Sequence, residues 1–274
     1  MLSNWTTHTV RVNGVRLCYY RTGKKGSPSL VLAHGITDNA LCWTRVALAL
    51  ESDYDIVMYD ARGHGLSDKP PQGYAPETLA QDLVSLVHAL RLQRPFLLGH
   101  SLGAETVAIA AALEPELATC IILEDPPWRD LDQQTTTQGR AEHYRQSILR
   151  YKTKTLHELI TTCRERHPSW DEAEITPWAI AKLQVSPYVV QTIAAPWPSW
   201  RELLKQIRCP ILLITADPDK GGIVTSSVAQ EAQSLWRKGQ VAHIAGVGHS
   251  IHRDNFAKYI RSVKSFLKHC KGAA

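Results

Sequence analysis

The chain alternates short apolar runs with segments in which apolar residues recur every three or four positions. Leu30–Ala33, Asp55–Tyr59 and Phe96–Leu98 are near-continuous apolar runs, as expected of strands covered on both faces. Cys42–Leu50 and Thr78–Leu90 lie between them with helical spacing, the second carrying Leu79, Leu83, Leu86, Val87 and Leu90. Thr9–Tyr20 reads as two strands joined at Asn13-Gly14, a dipeptide suited to the positive φ of a tight hairpin turn. The alanine-rich Leu102–Leu113 predicts a helix stopped near Pro115, and Cys120–Leu123 a further strand.

After Pro126-Pro127 the texture changes. Trp128 to Trp200 shows no strand–helix alternation; it holds polar, helix-like segments and the tryptophans Trp128, Trp170, Trp178, Trp197 and Trp200. The arginines and lysines of this stretch, Arg140 among them, read as a solvated helix surface. Alternation resumes with a strand at Ile211–Thr215, a helix at Ser226–Trp236, a strand at Val241–Ala245 and a helix at Asn255–Leu267. The pattern predicts an α/β fold with a mostly parallel, doubly covered sheet. Residues 1–126 and 201–274 form its core, and residues 127–200 a helical insertion.

Composition narrows the possibilities. With 44% apolar and 21% charged residues the chain is neither disordered, a coiled coil nor collagen-like. The 31 Lys and Arg against 26 Asp and Glu leave +5, spread along the chain, which gives no electrostatic footprint for nucleic acid. The six cysteines lie far apart without a CxxC pair, as in a reduced protein rather than a disulfide scaffold. The first residues lack the basic and apolar regions of a secretion signal, and no uncharged apolar run approaches the roughly 18 residues of a membrane span. The expectation is a soluble cytoplasmic protein.

The chemistry concentrates at Gly99-His100-Ser101-Leu102-Gly103, a G-x-S-x-G between a predicted strand and a predicted helix. A sharp turn there would expose the Ser101 hydroxyl and aim the helix N-terminus, with the Leu102 N–H, at whatever that oxygen holds. A serine hydroxyl needs a base. His249 follows Gly246-Val247-Gly248 at a strand end, where ligands collect in open α/β sheets. His243 lies within a strand and reads as structural, His252 as a cap or solvated residue of the last helix, and His100 as held by the turn and pointing away. His249-Ser250-Ile251-His252 has no third ligand at a metal-binding spacing, so no metal is expected.

Three features in this order resemble the α/β-hydrolase superfamily over nearly the whole chain. They are His34-Gly35 after a strand, Asp60-Ala61-Arg62-Gly63-His64-Gly65-Leu66-Ser67 after the next, and the turn at Ser101. The resemblance implies an eight-stranded sheet with a helical lid insertion, an oxyanion hole from the N–H groups of Ile36 and Leu102, and no cofactor. It also implies that the Asp60–Ser67 segment braces a loop beneath the site.

Two carboxylates compete to orient His249. The commonest family position, the loop after the seventh strand, offers Asp219. Counting back from Ile223-Val224 lands instead on Gly221, so this loop is stretched. The alternative, Asp125, ends the sixth strand beside two prolines. The stretched loop leans the choice toward Asp125.

Trp128, Trp178 and Trp197 are the candidate substrate contacts from the insertion. The implied activity is hydrolysis of a carboxylic ester or lactone of a fairly apolar small molecule. A C–C bond hydrolase of ring-cleavage products and a ligand receptor built on the same fold are the competing readings.

Overall fold

The computed structural model describes residues 5–24, 26–128 and 137–271. Strands β1 (Thr6–Val12) and β2 (Val15–Arg21) form a hairpin whose Asn13 and Gly14 both take positive φ, 43° and 77°. There follow β3 (Ser29–Ala33), α1 (Thr44–Leu50), β4 (Asp55–Tyr59), α2 (Pro76–Ala89), β5 (Phe96–His100), α3 (Leu102–Leu113) and β6 (Cys120–Glu124). Helices α4 (Thr137–Lys152), α5 (Leu156–Arg166), α6 (Glu172–Gln184), α7 (Gln191–Ala194) and α8 (Trp200–Gln206) separate β6 from β7 (Ile211–Thr215). The chain closes with α9 (Ser226–Leu235), β8 (Gly239–His243), α10 (Ile251–Asp254) and α11 (Phe256–Lys271).

The eight strands lie in the order β1-β2-β4-β3-β5-β6-β7-β8. β1 and β2 pair antiparallel, β2 joins β4 antiparallel, and from β4 onward every neighbour is parallel. The order reverses at β3, which has β4 on one side and β5 on the other. A crevice therefore opens at the carboxyl ends of β3 and β5, the ends from which the His34-Gly35 loop and the Ser101 turn emerge.

Burial explains why the central runs lack polar alternation. One face of the sheet packs on α2, α3, α8 and α9 through Leu83, Val107, Leu204 and Val228. The other packs on α1 and α11 through Val46, Leu50, Tyr259, Val263 and Phe266. β8 differs from its predicted span, starting and ending two residues earlier. It is the edge strand, its residues are exposed or half-exposed, and its pairing with β7 from Gly239 to His243 sets its limits. The segment between β6 and β7 builds two further apolar clusters, one in which Ile148 and Val189 pack with Tyr74 from before α2 and one around Leu159, Trp170, Ile175 and Trp178. α8 departs from this group, since its Trp200, Leu203 and Leu204 join the core beneath the sheet.

The glycines flanking Ser101 are required by close approach. A Cβ on Gly99 would collide with the Gly103 carbonyl, and one on Gly103 with the Ala33 carbonyl. α3 thus rests directly on the end of β3. Gly103→Ala is expected to lower unfolding free energy by about 1–3 kcal/mol, as overpacking does. Denaturant unfolding of the variant beside the parent measures it.

Candidate active site

Ser101 occupies the turn between β5 and α3 at φ 54° and ψ −118°, a strained conformation for a residue with a side chain. The neighbouring strand helps to hold it: the Ser101 N–H donates to the Glu124 carbonyl at 2.9 Å. Its hydroxyl makes no hydrogen bond among the described residues and faces a cavity of about 510 Å³. Ile36 and Leu102 line the same cavity, and neither backbone N–H has a hydrogen-bond partner among the described residues. Two residues with free N–H donors therefore share the cavity with the serine, the second at the N-terminus of α3, where the helix dipole favours negative charge.

Asp125, one residue beyond β6, is fully buried and has φ 42°. Its Oδ2 accepts from His249 Nδ1 at 2.6 Å. Its carboxylate also accepts from the Ile223 N–H at 2.9 Å and the Val224 N–H at 3.0 Å. The contact to an acceptor-only carboxylate puts the His249 proton on Nδ1 and leaves Nε2 as the basic nitrogen. Asp219 lies exposed in a turn after β7 and makes no hydrogen bond to a histidine among the described residues. The loop in which it sits meets the site through its backbone instead.

His252 departs from its sequence reading, and His100 has a contact that its reading does not include. His100 does not merely point away: its Nε2–H donates to the His249 carbonyl at 3.0 Å, and its ring lies 4.7 Å from the His249 ring. It anchors the loop that presents His249, and burial pushes its pKa down to about 3, so it remains neutral. His252 neither caps nor meets solvent. It is buried, with its backbone N–H and Nδ1 on the Glu124 carboxylate at 2.9 and 2.8 Å. Burial lowers His252 to about 3 and raises the Glu124 carboxyl. His243 lies on β8, where it contacts Asp217 and Thr215.

The Asp60–Ser67 segment touches the loop that bears Ile36. His64 Nε2 lies 2.7 Å from the Ile36 carbonyl, and Asp60 accepts from Ala40 and Leu66 N–H groups, both at 2.8 Å. From the other side Lys182 of α6 reaches the Thr37 carbonyl at 2.9 Å and Asp38 at 3.0 Å. Arg253 of α10 meets the second oxygen of Asp38 at 3.1 Å. Burial alone would raise the Asp38 carboxyl, but Arg253 and Lys182 hold it well below the carboxylate range. Nothing in the local sequence around Lys182 announces this contact, which joins residues 144 positions apart.

Of the candidate tryptophans, Trp128 and Trp197 line the cavity and Trp178 does not. Trp178 is buried against Leu159, Cys163 and Ile175, with Lys182 over its ring. Trp200 takes a place in the wall instead, stacked on Trp128 at 5.4 Å. Glu105, one turn along α3 from Ser101, also lines the cavity and accepts from Trp128 Nε1 at 2.6 Å. Arg140, read as surface, is a lining residue too. Among the described residues no three His, Cys, Asp or Glu side chains converge as a metal site, and no helix is long and apolar enough to cross a membrane.

Comparison with known proteins agrees with this architecture. The profile of the alpha/beta hydrolase family matches residues 30–261. N-formylmaleamate deformylase of Pseudomonas putida is 29% identical over 266 residues, 95% of this chain and 96% of its own. The crystal structure of an N-formylmaleamic acid deformylase from Pseudomonas putida S16 superposes at a TM-score of 0.77 with 26% identity, covering 94% of this chain and 100% of that one. The fold of E-2-(acetamidomethylene)succinate hydrolase is similar at a TM-score of 0.82 and 20% identity, over 97% of this chain and 100% of that one.

Burial pushes the Glu105 carboxyl up from its ordinary 4.5 to about 7, with Glu77 adding to the rise and the Trp128 hydrogen bond opposing it. Unfolded and folded forms are both neutral at low pH. The unfolded chain ionises first, so the contribution of Glu105 to stability falls as pH rises from about 4.5 to about 7 and then levels off. Glu105→Gln is expected to be more stable than the parent by about 3 kcal/mol at pH 8, the gap closing toward pH 5. Chemical denaturation of both proteins across that range checks it.

Proposed function

This chain belongs to the alpha/beta hydrolase family, and from that premise we propose that it is a serine hydrolase of small acyl compounds. The observation that carries the reading is the 2.6 Å contact between buried Asp125 and His249, on a loop that His100, the residue before a strained Ser101, holds through the His249 carbonyl. Ser101 attacks the acyl carbonyl while His249 Nε2 takes its proton. Asp125 holds the ring in the productive tautomer and stabilises the imidazolium. The N–H groups of Ile36 and Leu102 receive the oxyanion. His249 then protonates the leaving oxygen or nitrogen. In the second half it activates a water that frees the acid from Ser101.

The helices α4–α7 act in this reading as a lid, and Trp128, Trp197 and Trp200 supply the large apolar walls that hold the acyl compound. Esters and lactones suit the machinery. The likeness to N-formylmaleamate deformylase along almost the whole chain favours an acyl group on nitrogen as the natural bond. Activated esters then serve as surrogate substrates, since the same acyl-enzyme forms from either.

Fluorophosphonate labelling followed by peptide mapping is expected to place the adduct on Ser101 and to fail in Ser101→Ala. Retained labelling in that variant would overturn the nucleophile. On 4-nitrophenyl acetate, Asp125→Asn is expected to lose on the order of 10⁴-fold in turnover, as loss of the orienting carboxylate does in triad enzymes. Asp219→Asn should stay within a few-fold of the parent. Thermal melts separate lost chemistry from lost fold, and the reverse ranking would move the acid to the loop after β7.

A further inference from the structure

Helix α4 presents one face to the cavity. Thr137, Arg140 and Tyr144, three and four residues apart, all line it. Much of the remaining wall is apolar: Ile36, Trp128, Ile193, Trp197 and Ile223. Arg140 is half-buried there, and it makes no ion pair or side-chain hydrogen bond among the described residues.

That separates it from the protein's other enclosed cations. Arg62 is paired with Asp82, Lys182 with Asp38, and Arg253 with Asp38 and Glu174. Glu105 is the only carboxylate in the cavity wall among the described residues, and it is not the missing partner. One of its oxygens is engaged by Trp128, and its pKa is raised, whereas a guanidinium counter-ion would lower it. The hydroxyls of Thr137 and Tyr144 likewise have no hydrogen-bond partner among the described residues. A guanidinium is charged at every working pH and offers a planar fork of donors that fits a carboxylate in two parallel bonds.

We propose that Arg140, with the Thr137 and Tyr144 hydroxyls on the same helix face, is a carboxylate subsite, so that the substrate is an acyl compound carrying a free carboxylate away from the bond that is cut. This rests on the serine hydrolase reading of the same cavity. The substrate is then not uniformly apolar: its body lies against the tryptophans and its anionic end on α4. The cavity volume of about 510 Å³ limits it to a small molecule.

The test compares two esters of equal chain length, 4-nitrophenyl hydrogen adipate and 4-nitrophenyl hexanoate, with background hydrolysis subtracted. The parent is expected to prefer the adipate in kcat/KM by tenfold or more. Arg140→Gln should reduce that preference by about 10- to 100-fold, mostly through KM for the adipate, and Arg140→Lys should restore part of it. A parent that prefers the hexanoate, or an Arg140→Gln variant with the parent's preference, would overturn the subsite.

A second arm is independent of turnover: adipate is titrated against the tryptophan fluorescence of the parent, of Ser101→Ala and of Arg140→Gln. Binding to the first two and not the third supports the subsite even if neither ester is cleaved, an outcome that would sink only the hydrolase reading. Equal binding by all three, or inorganic phosphate binding as tightly as adipate, would overturn the carboxylate assignment.

Discussion

The Asp125 carboxylate is the point on which the geometry of the site depends. It is fully buried, and a buried carboxylate is tolerable only when its lone pairs are filled. The donors that fill them come from two separate loops. Ile223 and Val224 give backbone N–H groups from the loop after β7, and His249 gives its ring N–H from the loop after β8. One charge therefore draws the ends of β6, β7 and β8 into a fixed arrangement. The path of the loop after β7 follows from it. Gly221 turns at φ 99°, and a Cβ on Gly222 would press on the Ala216 carbonyl, so the chain folds back to bring its N–H groups onto Asp125. Asp219 is left in solvent on the outside of that turn.

A second set of buried charges ties the helices between β6 and β7 to the same site. Lys182 grips the loop that carries Ile36, and Arg253 closes on Asp38 and Glu174. Trp170 donates to Asp254, whose other oxygen accepts from the Gly248 N–H immediately before His249. Lys182 and Glu174 bring α6 onto Asp38 and Arg253, and removing one partner of these buried pairs would strand a charge, a loss of several kcal/mol in order of magnitude. The docking of α6 and the placement of the loop that bears Ile36 are thus linked. From the opposite side His64 lies against the Ile36 carbonyl, so the loop is held between α6 and the Asp60–Ser67 segment.

Much of this architecture was legible in the chain alone, because its physical cause is local. Strands buried on both faces must be continuously apolar, helices must carry an apolar stripe, and a serine between two glycines at a strand–helix boundary must make a tight turn. Those constraints act over fewer than about fifteen residues, and they place Ser101, the Gly246–His249 loop and the parallel sheet. β8 starts and ends two residues before the span its sequence predicts, because an exposed edge strand leaves no such pattern.

What the tertiary structure decided are the pairings between distant residues. Asp125 and His249 are 124 positions apart, and no spacing distinguishes the carboxylate that meets the ring from the one that does not. Trp178 and Trp200 both look like lid tryptophans, yet the first fills an internal cluster and the second the cavity wall, since each packs where its helix lands. Arg140 sits in a helix whose charges mimic a solvated surface, and only the fold turns that face inward. His252 looks like a helix-end residue until Glu124 closes over it. Sequence alone determined which strand ends and turns hold Ser101 and His249; the assembled fold determined which side chains meet there, because burial and charge pairing are settled between segments that share no local pattern.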